Sequence, residues 1–338
     1  MKFSIIMPTY NNVDVIKKSV ESIFVQTYEN WELIIVNDGS TDDTVEVLEE
    51  YIKNDNRVKL ITQVNKGPFQ ARINGLKQAT GDYLLFLDAD DYYEKDSLLI
   101  LNEFITKEND VDVIIFNYNR VDSLNNKSQI KKYPNITNDI EKIPNEIIIN
   151  ELLSSNKHNS LCNKVFRREF YEKERVSYDE DLFLLMSEDK LLNLPILCNS
   201  KNTYYLNKPL YNYIFNPESL TQTFNLLKFE HGLKVNSLIE KYLKDNNFSD
   251  KHLRLFYTNY IKDILRKYLA YIKNNSPSRV EKKKTLSIVN SMVTYKNAKN
   301  YINKFKRSYK HISKEKVLKL EIDIFFLRVL NKLGIVKF

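Results

Sequence analysis

Five short apolar runs, each separated from the next by a stretch of helical periodicity, fill the first 117 residues: Phe3–Met7, Glu32–Asn37, Val58–Thr62, Tyr83–Leu87 and Val113–Asn117. Continuous runs of this length, rich in β-branched residues, read as strands buried on both faces. The first intervening helix spans roughly Val13 to Gln26, with Val13, Ile16, Val20, Ile23 and Phe24 on one face and Asn11 or Asn12 as its cap. A second runs through Val45, Leu48 and Ile52 behind the turn NDGSTDDT. Others cover Phe69–Gln78 and about Lys95 to Glu108. Strands and helices alternating at this spacing predict an α/β fold with a mainly parallel sheet and helices on both faces. A ligand then lies beyond the carboxyl ends of the strands.

Glycine usage points to the same place. Four of the six glycines (Gly39, Gly67, Gly75 and Gly81) fall near the front, where tight turns and close backbone approach to a ligand are needed. Three strand ends carry chemistry: Pro8-Thr9-Tyr10-Asn11, Asn37-Asp38-Gly39-Ser40 and Asp88-Ala89-Asp90-Asp91. No GxGxxG follows the first strand and no GxxxxGK[ST] occurs, so dinucleotide-binding and P-loop chemistry lose their defining turns. In an extended segment residues i and i+2 point the same way, so Asp88 and Asp90 face one point. Paired carboxylates repel unless a cation sits between them, and an all-oxygen set favours Mg²⁺ or Mn²⁺ completed by a diphosphate. The plainer reading is that Asp90 and Asp91 cap the next helix.

Charge divides the chain. Residues 221–338 hold 26 of the 51 basic and 9 of the 44 acidic residues, leaving an acidic front. From about Phe224 the pattern is helical, with Leu226, Leu227, Leu233, Ile239 and Leu243 at helical spacing, then Leu253–Ile272, 281–305 and an amphipathic stretch at 317–338. This basic rear is expected to be helical and to contact an anionic membrane surface, a second copy of the chain or the acceptor. Two cysteines, Cys162 and Cys198, give no disulfide framework and read as buried thiols. The apolar N-terminal run stops at Pro8, and no run of about 18 apolar residues occurs. The expected location is the cytoplasm, with a peripheral position on the inner face of the cell membrane as an extension.

SIIMPTYN, QTYENWELIIVNDGSTDDT, NKGPFQARINGL and ATGDYLLFLDADD, in that order, resemble glycosyltransferase family 2. LCNKVFRR, Glu180-Asp181-Leu182 and PLYNY extend the resemblance to about Thr223. It implies a GT-A fold over 1–223, a separate helical region over 224–338, and inverting sugar transfer from a UDP- or dTDP-sugar to a saccharide or lipid-linked acceptor in cell-surface polysaccharide or glycoprotein glycan synthesis. By the same resemblance Thr9 and Tyr10 belong to the base pocket, and Asp38 accepts from the pyrimidine N3, although most relatives carry Asp where this chain has Asn37. Arg72 faces the donor, and Ala89 belongs with the nucleotide contacts. Asp90 and Asp88 stand at the metal, Mn²⁺ or Mg²⁺, with Asp88 also near the ribose. The base is the aspartate of an ED pair opening a helix. Asp181 is favoured over a second pair, Glu188-Asp189, eight residues on. Lys66 and His158 are expected to be ordinary surface residues.

Rival readings predict other features. A sugar nucleotidyltransferase needs a glycine- and lysine-rich triphosphate loop near the first strand, which PTYNN is not. A non-catalytic nucleotide- or membrane-binding scaffold has no need of Asp38, Asp88, Asp90 and Asp181. Nucleic-acid binding by the basic rear predicts strong salt dependence; the expectation is no nucleic-acid partner.

Overall fold

The structure, a computed structural model, describes residues 1–179, 182–216, 226–275, 296–297 and 300. The chain divides into two compact units, Met1–Thr223 and Phe224–Phe338.

The first unit is built on a ten-stranded mixed sheet. Strand β1 (Phe3–Thr9) pairs in parallel with β2 (Trp31–Asn37) on one side and β4 (Tyr83–Phe86) on the other, and β3 (Val58–Thr62) lies outside β2. The chain thus winds outward through β2 and β3, then returns to place β4 across β1. That reversal is a topological switch point, where α/β sheets open a crevice at the carboxyl ends of their strands. Ile5, Ile6, Leu33 to Val36 and Leu84 to Phe86 are essentially fully buried. This matches the continuous apolar runs that announced them.

Beyond β4 the sheet departs from the expected parallel order. Strand β9 (Lys164–Arg167) runs antiparallel between β4 and β6 (Val113–Val121). β6 then pairs in parallel with β10 (Thr203–Ile214), and β5 (Tyr92–Tyr93) closes that edge antiparallel to β10. Two short antiparallel strands, β7 (Lys127–Ile130) and β8 (Ile140–Lys142), pair with β6 and β10.

Helices cover both faces. On one side α1 (Ile16–Phe24) packs against α2 (Thr44–Asn54). Elsewhere α3 (Gly67–Gln78) lies on β1 and β2 and meets α7 (Glu188–Asn199), which also touches α5 (Asn145–Ser154) and α6 (Arg168–Glu174). The next helix, α4 (Ser97–Glu108), begins behind Asp96, with β5 between it and Asp91, so Asp90 and Asp91 do not cap it. α1 also starts later than expected. Asn12 accepts the Val15 and Ile16 N–H groups through its carbonyl, while its side chain donates to Thr9 Oγ1 and Tyr10 O.

Within the second unit, α8 (Leu226–Asp245) and α9 (Asp250–Asn275) pack together. Leu233, Ile239 and Leu243 are buried and Leu227 is exposed. The helices expected over 281–305 and 317–338 lie largely or wholly outside the described residues. Among the described residues no helix is long and apolar enough to cross a membrane.

Candidate active site at the carboxyl edge of the sheet

The loops after β1 and β2 are laced together. Asn11 has φ 52° and donates its N–H to Ser40 Oγ while its Oδ1 accepts Thr41 N–H; Asn12 N–H donates to Thr44 Oγ1. Asn37 Oδ1 accepts the Ser40 N–H at 2.9 Å. Asparagine keeps the acceptor that this turn uses. Gly39, at φ +76°, has no room for a Cβ, which would sit 3.0 Å from Asn65 N.

Asp38 is buried and anchors the next loop. Its Oδ1 accepts Gln63 Nε2 and Lys66 N–H, and Oδ2 accepts Gly67 N–H, at 2.7–2.8 Å. A carboxylate offers about four acceptor positions. One remains on Oδ2, enough for a single N–H. Thr9 is buried beside it and its carbonyl accepts the Asp38 N–H, whereas Tyr10 is 45% exposed on the rim. Lys66 is exposed, as expected.

Arg72 sits at the centre of the site. It lies on α3 with only 5% of its surface exposed. Nη2 donates to Asp88 Oδ1 at 2.7 Å, and Nη1 donates to Glu188 Oε1 at 2.6 Å and lies 3.4 Å from Asp189 Oδ1. One guanidinium therefore joins the carboxylates after β4 to those opening α7. Sequence reasoning favoured Asp181 over the Glu188-Asp189 pair; the contact with Arg72 brings that pair into the described site. Among the described residues nothing donates a hydrogen bond to Asp189 Oδ1. Burial raises its carboxyl to about 7 against the attraction of Arg72, with Glu188 and Asp88 adding repulsion.

Glu180 and Asp181 lie outside the described residues. Gln70 of α3 donates to the carbonyls of Asp179 and Leu182, which flank them. Gly67 opens α3 at φ +82°, and a Cβ there would stand 2.9 Å from Leu184 O.

Asp88 is 37% exposed at its side chain, and Ala89 is buried. Burial and the neighbouring Asp88 push the Asp90 carboxyl up to about 6. Among the described residues no three metal-ligating side chains converge. Two carboxylates, one of them reaching solvent, nonetheless suit Mg²⁺ or Mn²⁺, which keeps waters and takes further oxygens from a diphosphate.

His158 corrects the sequence expectation: it is fully buried, with Nε2 2.8 Å from Glu151 Oε2 and 3.2 Å from the Tyr133 hydroxyl. Cys162 and Cys198 are buried free thiols, as expected.

The loops after β1, β2 and β4 thus set an exposed tyrosine and several carboxylates at the carboxyl edge of an α/β sheet, and comparison with known proteins gives the family. The sequence model of Glycosyl transferase family 2 matches residues 4–175. EpsH of Bacillus subtilis, a protein named as a glycosyltransferase, is 31% identical over 244 residues, covering 72% of this chain and 70% of EpsH. The chain belongs to glycosyl transferase family 2 and is a glycosyltransferase. Glycosyltransferase GlyA of Streptococcus pneumoniae is 31% identical over 266 residues, which cover 75% of this chain and 36% of GlyA. Staphylococcus aureus TarS 1–349 shares the fold, at TM-score 0.65 and 23% identity over 88% of this chain and 81% of that one. A further TarS 1–349 structure, in complex with UDP-GlcNAc, superposes with TM-score 0.66.

Proposed function

We propose that the chain moves one sugar from a UDP- or dTDP-sugar to a saccharide or lipid-linked acceptor, with inversion at the anomeric carbon, in cell-surface polysaccharide or glycoprotein glycan synthesis. The observation that carries this reading is the Arg72 bridge. It places a donor-side carboxylate, Asp88, and a second carboxylate pair, Glu188-Asp189, on one buried guanidinium.

On the donor side Tyr10 offers a flat face to the base. The remaining lone pair of Asp38 takes the pyrimidine N3–H, with Thr9 beside it. Asp88 and Asp90 would hold Mn²⁺ or Mg²⁺, whose charge stabilises the departing diphosphate when bound. Arg72 fixes the Asp88 carboxylate, and Ala89 leaves the turn backbone close to the nucleotide.

On the acceptor side the reaction is a single displacement. The acceptor oxygen forms a bond to C1 as the C1–O bond to the diphosphate breaks, and its proton passes to a carboxylate. The resemblance assigned that role to Asp181. Asp189, the alternative, sits beside Arg72 with an oxygen that among the described residues accepts no hydrogen bond, and its raised carboxyl suits a base working near neutral pH. Peripheral membrane contact by the basic rear and a homodimer remain part of the proposal.

The test is a panel of nucleotide sugars with and without Mn²⁺, read by thermal stabilisation and slow donor hydrolysis. One UDP- or dTDP-sugar should stabilise the chain in a metal-dependent way, and Asp90→Ala should abolish this. Absence of any nucleotide binding refutes the reading. Asp189→Asn and Asp181→Asn, run side by side, assign the base: the true one loses turnover on the order of 100-fold or more while donor binding is retained.

A further inference from the structure

The turn that carries Asp88 and Asp90 is held by groups whose part in it the sequence did not show. Its last member, Asp91, is 1% exposed, and both of its carboxylate oxygens are engaged. Oδ2 accepts the Tyr211 hydroxyl at 2.7 Å, and Oδ1 accepts the Ile214 N–H at 2.8 Å. The same Tyr211 oxygen accepts the Asp88 N–H at 3.2 Å. One hydroxyl on β10 therefore ties the first and last residues of the turn.

That hydroxyl is itself fixed. Tyr211 is buried, and its ring stands edge-on to Tyr93 with centroids 5.1 Å apart. The Tyr93 hydroxyl donates to the carbonyls of Phe86 and Cys162. From α1, Ser19 Oγ reaches the carbonyls of Ala89 and Asp91 at 2.7 and 2.6 Å. The turn closes on itself through Asp91 N–H to Asp88 O at 3.0 Å.

We infer that Tyr211 and Asp91 are positioning residues, which set the spacing and direction of the Asp88 and Asp90 carboxylates toward a divalent cation and diphosphate without touching either. The inference rests on the donor-site reading above. A third carboxyl beside two others is costly to bury, and here its two oxygens meet two partners that also fix the backbone carrying the pair. Asp91 differs from a metal ligand in kind: it is enclosed and both oxygens are used, whereas the Asp88 side chain reaches solvent. Sites of this sort lose function when their groups drift by about 0.5 Å, and a short turn freed at one end drifts that far.

The experiment titrates Mn²⁺ into the UDP-saturated chain, following free Mn²⁺ by electron paramagnetic resonance, and measures metal-free UDP affinity separately. Tyr211→Phe keeps the ring and removes only the hydroxyl. It should weaken Mn²⁺ binding on the order of 10-fold and leave metal-free UDP affinity within about twofold, a split that a general loss of stability would not give. Asp91→Asn should act similarly. The double variant should be no weaker than the worse single one, because both changes cut the same link. Should Tyr211→Phe fail to fold, Ser19→Ala loosens the same turn from α1 and carries the same expectation. Mn²⁺ affinity unchanged within about twofold in Tyr211→Phe overturns the inference. So does abolition of Mn²⁺ binding by Asp91→Asn alone, which would make Asp91 a ligand. Wild-type chain that binds neither UDP nor Mn²⁺ overturns the donor-site reading itself, a separate outcome.

Discussion

Arg72 is the residue whose removal should cost most, and the cost can be worked from its surroundings. Its guanidinium is buried with Glu188, whose side chain is 10% exposed, and Asp189, at 24%; Asp88 is 37% exposed at the side chain. In Arg72→Met, Asp88 can turn to water, but Glu188 and Asp189 remain enclosed against each other without a counter-charge. Breaking a buried pair this way costs about 3–5 kcal/mol, and the partial exposure of Asp189 places this case near 3. For a unit of this size that corresponds to a melting temperature lower by about 6–12 °C. Arg72→Lys keeps the charge but loses the planar fork that serves two carboxylates at once, so about 1.5–3 kcal/mol is expected. Urea unfolding in the presence of a chelator measures both without interference from a metal. Adding Glu188→Gln to Arg72→Met should restore part of the loss by removing one of the stranded charges. Arg72→Met within about 1 kcal/mol of wild type, or a double variant with no recovery, would refute the bridge as the energetic centre of the site.

Other expectations follow from individual contacts. Glu32 is enclosed at the far end of β2; burial pushes its carboxyl up, but bonds from Ser4, Lys59 and Thr80 outweigh this and hold it at about 2. Because the folded value lies below the unfolded one, its stabilisation is complete above about pH 4.5 and is lost as pH falls toward 2, worth about 3 kcal/mol in all. Glu32→Gln should flatten that part of a stability–pH curve measured by denaturant unfolding. Gly67→Ala adds a methyl at φ +82° and 2.9 Å from Leu184 O; a loss of about 1–3 kcal/mol is expected by thermal unfolding. Lys164, fully buried, donates to the carbonyls of His158 and Ser160. Lys164→Met should destabilise by about 1–3 kcal/mol and speed amide exchange in residues 157–163.

The strands at the front were legible because β1, β2, β4 and β6 are buried on both faces, which leaves a continuous apolar run in the sequence, and the half-exposed β3 keeps Val58, Leu60 and Ile61. β9 was not. KVFR begins with a buried lysine, ends in an arginine paired with Asp110 and Asp112, and finds both partners far away in the chain. Of the site, the turn residues and Asp88 could be read from their place at strand ends. The role of Asp91 could not, because its partner Tyr211 lies 120 residues on. Nor could Glu188-Asp189 be separated from Glu180-Asp181, since two ED pairs before apolar stretches look alike in sequence; contrary to expectation residues 182–187 form no helix, and the helix begins at Glu188. His158 was misjudged for a similar reason: its burial depends on Glu151 and Tyr133, neither adjacent in sequence.

The reversed strand β9 also bears on how the chain is made. Until residue 167 has been synthesised, β4 and β6 have no neighbour to join them. The nascent chain then carries two half-sheets, each with an open apolar border, through the more than forty residues that separate β6 from Arg167. Unpaired borders of this kind invite association with other chains. A product truncated before Lys164 should therefore precipitate on expression, whereas one that includes β9 and β10 has the strands to join its two halves.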